Sequence, residues 1–318
     1  MRRLAVIFLL LCVTGTTFCD QADFQNTAAE DRKISVSEAA ILGTIEGLTE
    51  YLPVSSTGHL ILANHAMGNT HFSSEMGLFG PKIESTSAAG AFEIVIQFGA
   101  ILAVLGLYRG RVKEMCMGLI GRNRSGLRVF MLVMTAFLPA AVTGALLEGP
   151  IKENLFNPIP VAWSLAAGGV LMIIVERFYR SIYAANAHPR IENMLYSQAL
   201  IIGFAQCLAM WPGTSRSMIT IIAAMLVGLD LVTSAEFSFL LALPTLGAAT
   251  IFEAVKNWNA LLNSAGWLSL AVGILLSWIV AAIAVKLFIK CLTRFGLTPF
   301  GIYRIFLAAA VYAYFNIR

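Results

Sequence analysis

The chain has 318 residues, of which 58% are apolar and 13% charged, with a net charge of +4. A soluble domain carries about 25% charged residues, so this composition excludes a soluble enzyme and a disordered segment and places the chain in a membrane. The positive balance is no nucleic-acid footprint, because the basic residues fall in the connections between apolar runs, where they act as orientation signals. Cys12, Cys19, Cys116, Cys207 and Cys291 form no CxxC pair, which supports neither a zinc site nor a disulfide framework.

Residues 1–19 read as a secretory signal: Arg2-Arg3, an apolar core from Leu4 to Val13, then the small and polar Thr14-Gly15-Thr16-Thr17. Cleavage near Cys19 competes with an uncleaved anchor and with a lipoprotein signal, against which the bulky Phe18 argues. An extension over 20–33 leads into one all-α membrane domain, 34–318. Apolar stretches at Gly90–Tyr108, Leu127–Leu147, Ile159–Val175, Phe237–Phe252, Trp267–Val285 and Phe300–Phe315 are each about long enough to cross a hydrocarbon core, predicting six transmembrane helices.

Lys and Arg concentrate after the first span (Arg109, Arg111, Lys113, Arg122, Arg124, Arg128), the third (Arg177, Arg180, Arg190) and the fifth (Lys286, Lys290, Arg294). The other connections hold Lys152 or Lys256, so loops one, three and five are expected in the cytoplasm. The segment from about Ile34 to Met67 then begins and ends outside, and that from about Leu195 to Leu229 begins and ends inside. Both are expected to be re-entrant helical hairpins, dipping in from opposite faces around a buried cavity. Ile41-Leu-Gly-Thr-Ile-Glu46 reads like Ile201-Ile-Gly-Phe-Ala-Gln206, and Pro53-Val-Ser-Ser56 like Pro212-Gly-Thr-Ser215. Each hairpin is followed by three spans, so the second repeat (about 195–317) is inverted relative to the first (about 34–176), with the tips meeting near the midplane.

Polar side chains at that depth are expensive and mark a functional site. Glu46 and Glu50 are one helical turn apart on one face. Two adjacent buried carboxylates call for a cation, and Mg²⁺ or Ca²⁺ suits them; the bland alternative is a snorkelling or neutral pair. Pro53 stops the first helix, and Ser55 or Ser56 is suited to cap the next, whose free N–H groups form an anion site. His59 follows at a spacing that lets it face the same ligand, with Thr57 beside it. The second tip repeats the device: Pro212-Gly213 breaks the chain, and Ser215-Arg216-Ser217 opens a helix over Met218–Val227. Arg216 offers a planar fork for two phosphate oxygens, or a buried salt bridge to Glu46 or Glu50. Glu93, Gln97, Glu236 and Arg304 are more isolated, and belong at best to the support of the site.

On these motifs the chain resembles the bacterial undecaprenyl-diphosphate phosphatase family, the bacitracin-resistance proteins. The family's EGLTEFLPVSSTGH is matched at Glu46–His59 with Tyr51 in place of Phe, and PGxSRSG at Pro212–Ser217 with Met218 in place of the last glycine. Phe92-Glu-Ile-Val-Ile-Gln97, Ala235–Leu241 and Pro299–Arg304 extend the similarity. The resemblance implies removal of the terminal phosphate from the C55 lipid carrier diphosphate in the bacterial inner membrane, for peptidoglycan synthesis and bacitracin resistance. It also implies a divalent cation and a site open to the outer face. By position it implies Glu46 and Glu50 for metal and acid or base work, and Ser56 and His59 for attack and proton transfer. Ser55 and Thr57 would line the pocket, and Ser215, Arg216 and Ser217 would hold phosphate. Membrane lipid and the C55 substrate are the expected partners; the sequence allows a homodimer without signalling one. His59, Ser56 and an activated water all stay open as the attacking group. The rival reading is a polyprenyl-phosphate flippase that binds without cleaving, which would not need the Glu46, Glu50, Ser56, His59 cluster.

Overall fold

The computed structural model describes residues 33–68, 70–77, 80–85, 87–155, 158–182, 190–256 and 266–316. The expected signal, and the extension up to residue 32, lie outside them.

Helix α1 (Val36–Thr49) starts on a capping box, with the Ser35 hydroxyl accepting from the Glu38 N–H and the Glu38 carboxylate accepting from the Ser35 N–H at 2.8 Å. It turns back into α2 (Ser56–Ala66). Two antiparallel strands follow, β1 (Thr70–Gly77) and β2 (Gly80–Ser85), paired from Thr70 with Ser85 to Gly77 with Gly80 with a register shift between Phe72 and Met76. This ladder departs from the all-α expectation. Its two-residue connection, Leu78-Phe79, carries none of the Asn-Gly or Asp-Gly chemistry that announces a hairpin.

Helices α3 (Ser87–Leu107), α4 (Arg109–Leu119), α5 (Arg124–Leu155) and α6 (Pro158–Ile182) complete the first half. The second half contains α7 (Tyr196–Cys207), α8 (Arg216–Leu226), α9 (Leu231–Lys256), α10 (Trp267–Phe295) and α11 (Thr298–Asn316), with single 3₁₀ turns at Ile191–Asn193 and Leu208–Met210. Each of the six expected spans falls on one of these helices. Parts of α5, α6, α9 and α10 are long and apolar enough to cross a membrane, and α3 with α4 makes a fifth candidate that bends by 82° at Tyr108. Helix α11 falls outside this set, its apolar run diluted by Arg304, Tyr303, Tyr312 and Tyr314. The protein is thus a multi-pass membrane protein. Helix α1, at 14 residues, is about 21 Å long, short of a ~30 Å hydrocarbon core, and α2, α7 and α8 are shorter.

The halves exchange partners. Helix α1 packs on α10 and α7 on α5, while α6 and α11 pack on each other. Glycines allow these approaches: a Cβ on Gly43 would collide with the backbone of Gly273, and one on Gly203 with that of Ala136. Gly169 and Gly301 face each other, each meeting the other's carbonyl. An ion cluster ties the halves near the α3–α4 bend, where Arg111 reaches Glu192 and Glu236, both at 2.8 Å. Burial pushes the Glu192 carboxyl up, yet hydrogen bonds from its own backbone and from Arg111 outweigh this and leave it below the usual carboxylate range.

Replacing Gly43 with Ile is expected to force α1 off α10 and cost about 1–3 kcal/mol by overpacking. Ile41, 49% exposed on the same helix, should accept Ala with little effect. Thermal melts of the two variants in detergent check the contrast.

Candidate active site

Both hairpin tips are built by one local device. Ser55 adopts φ 72°, ψ 102° and Ser215 φ 72°, ψ 112°, and among the described residues they are the non-glycine positions with positive φ. Each then caps the helix it precedes: Ser55 Oγ accepts from the Gly58 N–H at 3.4 Å, and Ser215 Oγ from the Met218 N–H at 3.3 Å. Both helices run for 11 residues. This geometry pairs Ser55 with Ser215, Ser56 with Arg216 and Gly58 with Met218, one residue away from the expected pairing of Pro53–Ser56 with Pro212–Ser215. With this register the segments from Glu46 and from Gln206 align without a gap.

The two tips meet, and Glu50 joins them. Ser56 Oγ of the first tip donates to Glu50 Oε2 at 2.7 Å, and Arg216 Nη2 of the second donates to Glu50 Oε1 at 2.9 Å. Of the two partners considered for Arg216, Glu50 is therefore the one taken. Arg216 Nη1 also donates to the Ser238 carbonyl at 3.1 Å, and the guanidinium lies 5.6 Å from the centre of the Tyr51 ring. Ser217 Oγ donates to the Leu52 carbonyl at 2.8 Å, so this hydroxyl, expected on phosphate, fastens tip to tip.

A cavity of about 150 Å³ opens between the tips, lined by Glu50, Ser55, Ser56, Thr57, Ser215 and Arg216 among others. Its size suits a phosphate-bearing headgroup and not a whole lipid, since pockets that enclose drug-sized ligands run to about 300–1,000 Å³. Glu46 lies one turn back from Glu50, 2% exposed, and its Oε1 has no hydrogen-bond partner among the described residues.

His59 does not line the cavity. Its Nδ1 lies 2.7 Å from the Ser55 carbonyl and its Nε2 2.6 Å from the Tyr303 hydroxyl, with the two rings nearly parallel. A carbonyl can only accept, so Nδ1 carries the proton, and Nε2 of the neutral ring accepts from Tyr303. The expectation that His59 faces the ligand beside Ser55 and Ser56 is replaced here by a place behind the Ser55 turn.

The residues first read as isolated turn out to be engaged. Glu93 accepts from Asn64 Nδ2 at 2.5 Å, Glu236 pairs with Arg111, and Gln97 lines the cavity. Arg304, fully buried, donates to the carbonyls of Pro53 (3.4 Å) and Gly213 (2.9 Å), one from each tip, and to those of Ser164 and Leu165 on α6. Tyr303 and Arg304 share a motif with the family in sequence, but nothing in α11 signals that they reach the tips. Among the described residues no three His, Cys, Asp or Glu side chains converge as a metal cage. Cys116, Cys207 and Cys291 are free thiols.

Met218 is 1% exposed and packs in the main core with Tyr51, Leu52 and Met172, so its bulk points away from the cavity. Gly168 leaves the room for its sulfur, since a Cβ there would meet Met218 Sδ. Met218→Gly is accordingly expected to destabilise the fold by about 2–5 kcal/mol from the cavity and about 1 more from glycine in a helix. A lower thermal midpoint with no gain in activity is the expected result, and a more active variant of unchanged stability would contradict the packing.

The family described as "Bacitracin resistance protein BacA" matches residues 39–310 of the chain. The chain is similar to an "Undecaprenyl-diphosphatase" of Sorangium cellulosum, 47% identical over 275 residues that cover 86% of this chain and 84% of that protein. A second "Undecaprenyl-diphosphatase", of Persephonella marina, is 41% identical over 277 residues, covering 86% and 96% respectively.

Proposed function

We propose that this chain, which belongs to the bacitracin resistance protein BacA family, hydrolyses undecaprenyl diphosphate to undecaprenyl phosphate and inorganic phosphate. The product is the lipid carrier used again in envelope polymer synthesis. The observation that carries the mechanism is the row Ser56, Glu50, Arg216: a hydroxyl 2.7 Å from a carboxylate that is itself held at 2.9 Å by a guanidinium. This is the arrangement of a nucleophile, a base and an orienting group.

In this reading the terminal phosphate sits in the cavity against the starts of α2 and α8. The backbone N–H groups and helix dipoles there favour an anion. Ser56 Oγ attacks the terminal phosphorus as its proton passes to Glu50. The bond to the bridging oxygen breaks, and the lipid monophosphate leaves. Water then releases phosphate from Ser56. Arg216 offsets charge on the transferred oxygens. His59 and Tyr303 brace the Ser55 turn that aims the hydroxyl.

The fit to a divalent cation rests on Glu46, whose buried Oε1 lacks a partner among the described residues. Mg²⁺ is commonly bound by one or two carboxylates together with substrate phosphates, so Glu46 with Glu50 could hold Mg²⁺ or Ca²⁺ without a protein cage. The ion would neutralise phosphate charge.

The exchanged packing, and the paired geometry of Ser55 with Ser215, support an inverted repeat of six spans with two re-entrant hairpins. The positive connections favour an inner-membrane orientation with the site open to the outer face. The polyprenyl-phosphate flippase is the weaker reading, because a binder has no use for a serine hydrogen-bonded to a clamped carboxylate.

Phosphate release from the C55 diphosphate by detergent-purified protein tests this. Ser56→Ala and Glu50→Ala are expected to lose at least about 10²-fold in turnover, while Arg216→Ala should mainly raise KM. Chelation should stop release, and Mg²⁺ or Ca²⁺ should restore it. Normal turnover by Ser56→Ala would shift the attack to water or to His59. Wild-type protein that binds the lipid and releases nothing would favour the flippase.

A further inference from the structure

Of the side chains that line the cavity, nearly all come from the two hairpins and the turns that close them. The spanning helices contribute Gln97 of α3 and Leu246 of α9, so Gln97 is the polar side chain they add. Its orientation is set from outside: Thr250, one turn beyond Leu246 on α9, donates its hydroxyl to Gln97 Oε1 at 3.2 Å. The carbonyl end of the amide is thereby occupied, and Nε2 has no hydrogen-bond partner among the described residues. A half-buried amide that keeps two N–H donors for a cavity between helix N-termini is suited to an oxygen ligand.

The lining is chemically mixed. The hairpins supply Ser56, Glu50 and Arg216, the groups assigned to attack on the terminal phosphate. The spanning helices add a neutral donor, Gln97, and apolar Leu246. A diphosphate has a second phosphate group, which bears the lipid. A neutral amide can bind its oxygens without adding a charge that would have to be offset when the lipid monophosphate leaves.

We propose that Gln97 is a substrate-contacting specificity residue that donates from Nε2 to the lipid-linked phosphate, with Thr250 as the positioning residue that fixes the amide. This rests on the phosphatase reading above and assigns the two phosphates to different groups of the lining. An enzyme so built recognises a lipid diphosphate by both ends of its headgroup. Its lipid monophosphate product would be retained by Gln97, and its inorganic phosphate product by the tip residues.

The test uses full-length protein in detergent and four readouts: KM and kcat for the C55 diphosphate, and inhibition constants for the C55 monophosphate and for inorganic phosphate. Gln97→Leu keeps the size and removes the donor. It is expected to raise KM and the monophosphate inhibition constant about tenfold, the equivalent of about 1.4 kcal/mol. Its kcat should stay within about threefold, as expected for binding that is equal in ground and transition states, and the inorganic phosphate constant should not change. Gln97→Glu, which presents an anion to an anion, should be worse than Gln97→Leu on the same two constants. Thr250→Val should give a smaller change of the same pattern, with an unchanged thermal midpoint.

Equal shifts in both inhibition constants would overturn the assignment to the lipid-linked phosphate. Unchanged KM in Gln97→Leu would overturn the contact itself. A wild type with no phosphatase activity would instead remove the reading on which the inference rests.

Discussion

The chain breaks at the two tips leave peptide carbonyls outside any helix, and one guanidinium serves both. Arg304 donates to Pro53 of the first tip, Gly213 of the second, and two consecutive carbonyls of α6. An arginine fork suits this role because its donors lie in one plane with fixed directions. No carboxylate appears among these partners, so the charge is held by carbonyl dipoles. The position of every group at the site depends on this clamp, since it sets where one tip stands relative to the other. Ser217 on Leu52, and Ser164 on Pro212 at 2.7 Å, close the same junction from the side.

The second cross-link, Glu50 with Arg216, is different in kind. A buried ion pair is weak evidence of net stability, because desolvation offsets most of the Coulombic attraction. Its value here is geometric. Glu50 uses both oxygens, one on the hydroxyl of its own tip and one on the guanidinium of the other, so neither tip alone possesses the site. In the proposed mechanism, incoming phosphate would compete with Glu50 for Arg216 and loosen the carboxylate toward the Ser56 proton, so the tip interface would couple substrate capture to the base.

The sequence showed what was local and repeated. The motif around Glu46–His59, its echo at Pro212–Ser217, and helices too short to span were legible because buried charges and chain breaks interrupt otherwise apolar runs. The β1–β2 ladder was hidden because the sequence between the strands, Leu78-Phe79, carries no hairpin residues, and the bend at Tyr108 by a charged helix that simply looked like a loop. The roles of Gln97, Tyr303 and Arg304 were illegible for another reason. Each lies in a largely apolar helix with nothing nearby in the sequence to name its partner, which is 91 to 251 positions away along the chain. The one-residue error in matching the tips came from trusting the prolines, whereas the serine backbone sets the register.

That backbone is the most informative feature of the site. Positive φ is the territory of glycine, and holding another residue in such a conformation costs of the order of 1–3 kcal/mol. Glycine at Ser55 or Ser215 would relieve the strain but would leave the N–H of Gly58 or Met218 without its cap. The hydroxyl is therefore worth keeping at both tips, and the junction of Arg304, Ser217 and Ser164 supplies the surrounding order that lets the strain persist. What the strained turn accomplishes is direction: it swings the chain so that Ser56 on one side and Arg216 on the other, equivalent positions in the two halves, face the same carboxylate. The near-identical geometry at the tips makes the meeting possible, and the difference between a hydroxyl and a guanidinium at matched positions gives the shared carboxylate two unlike partners.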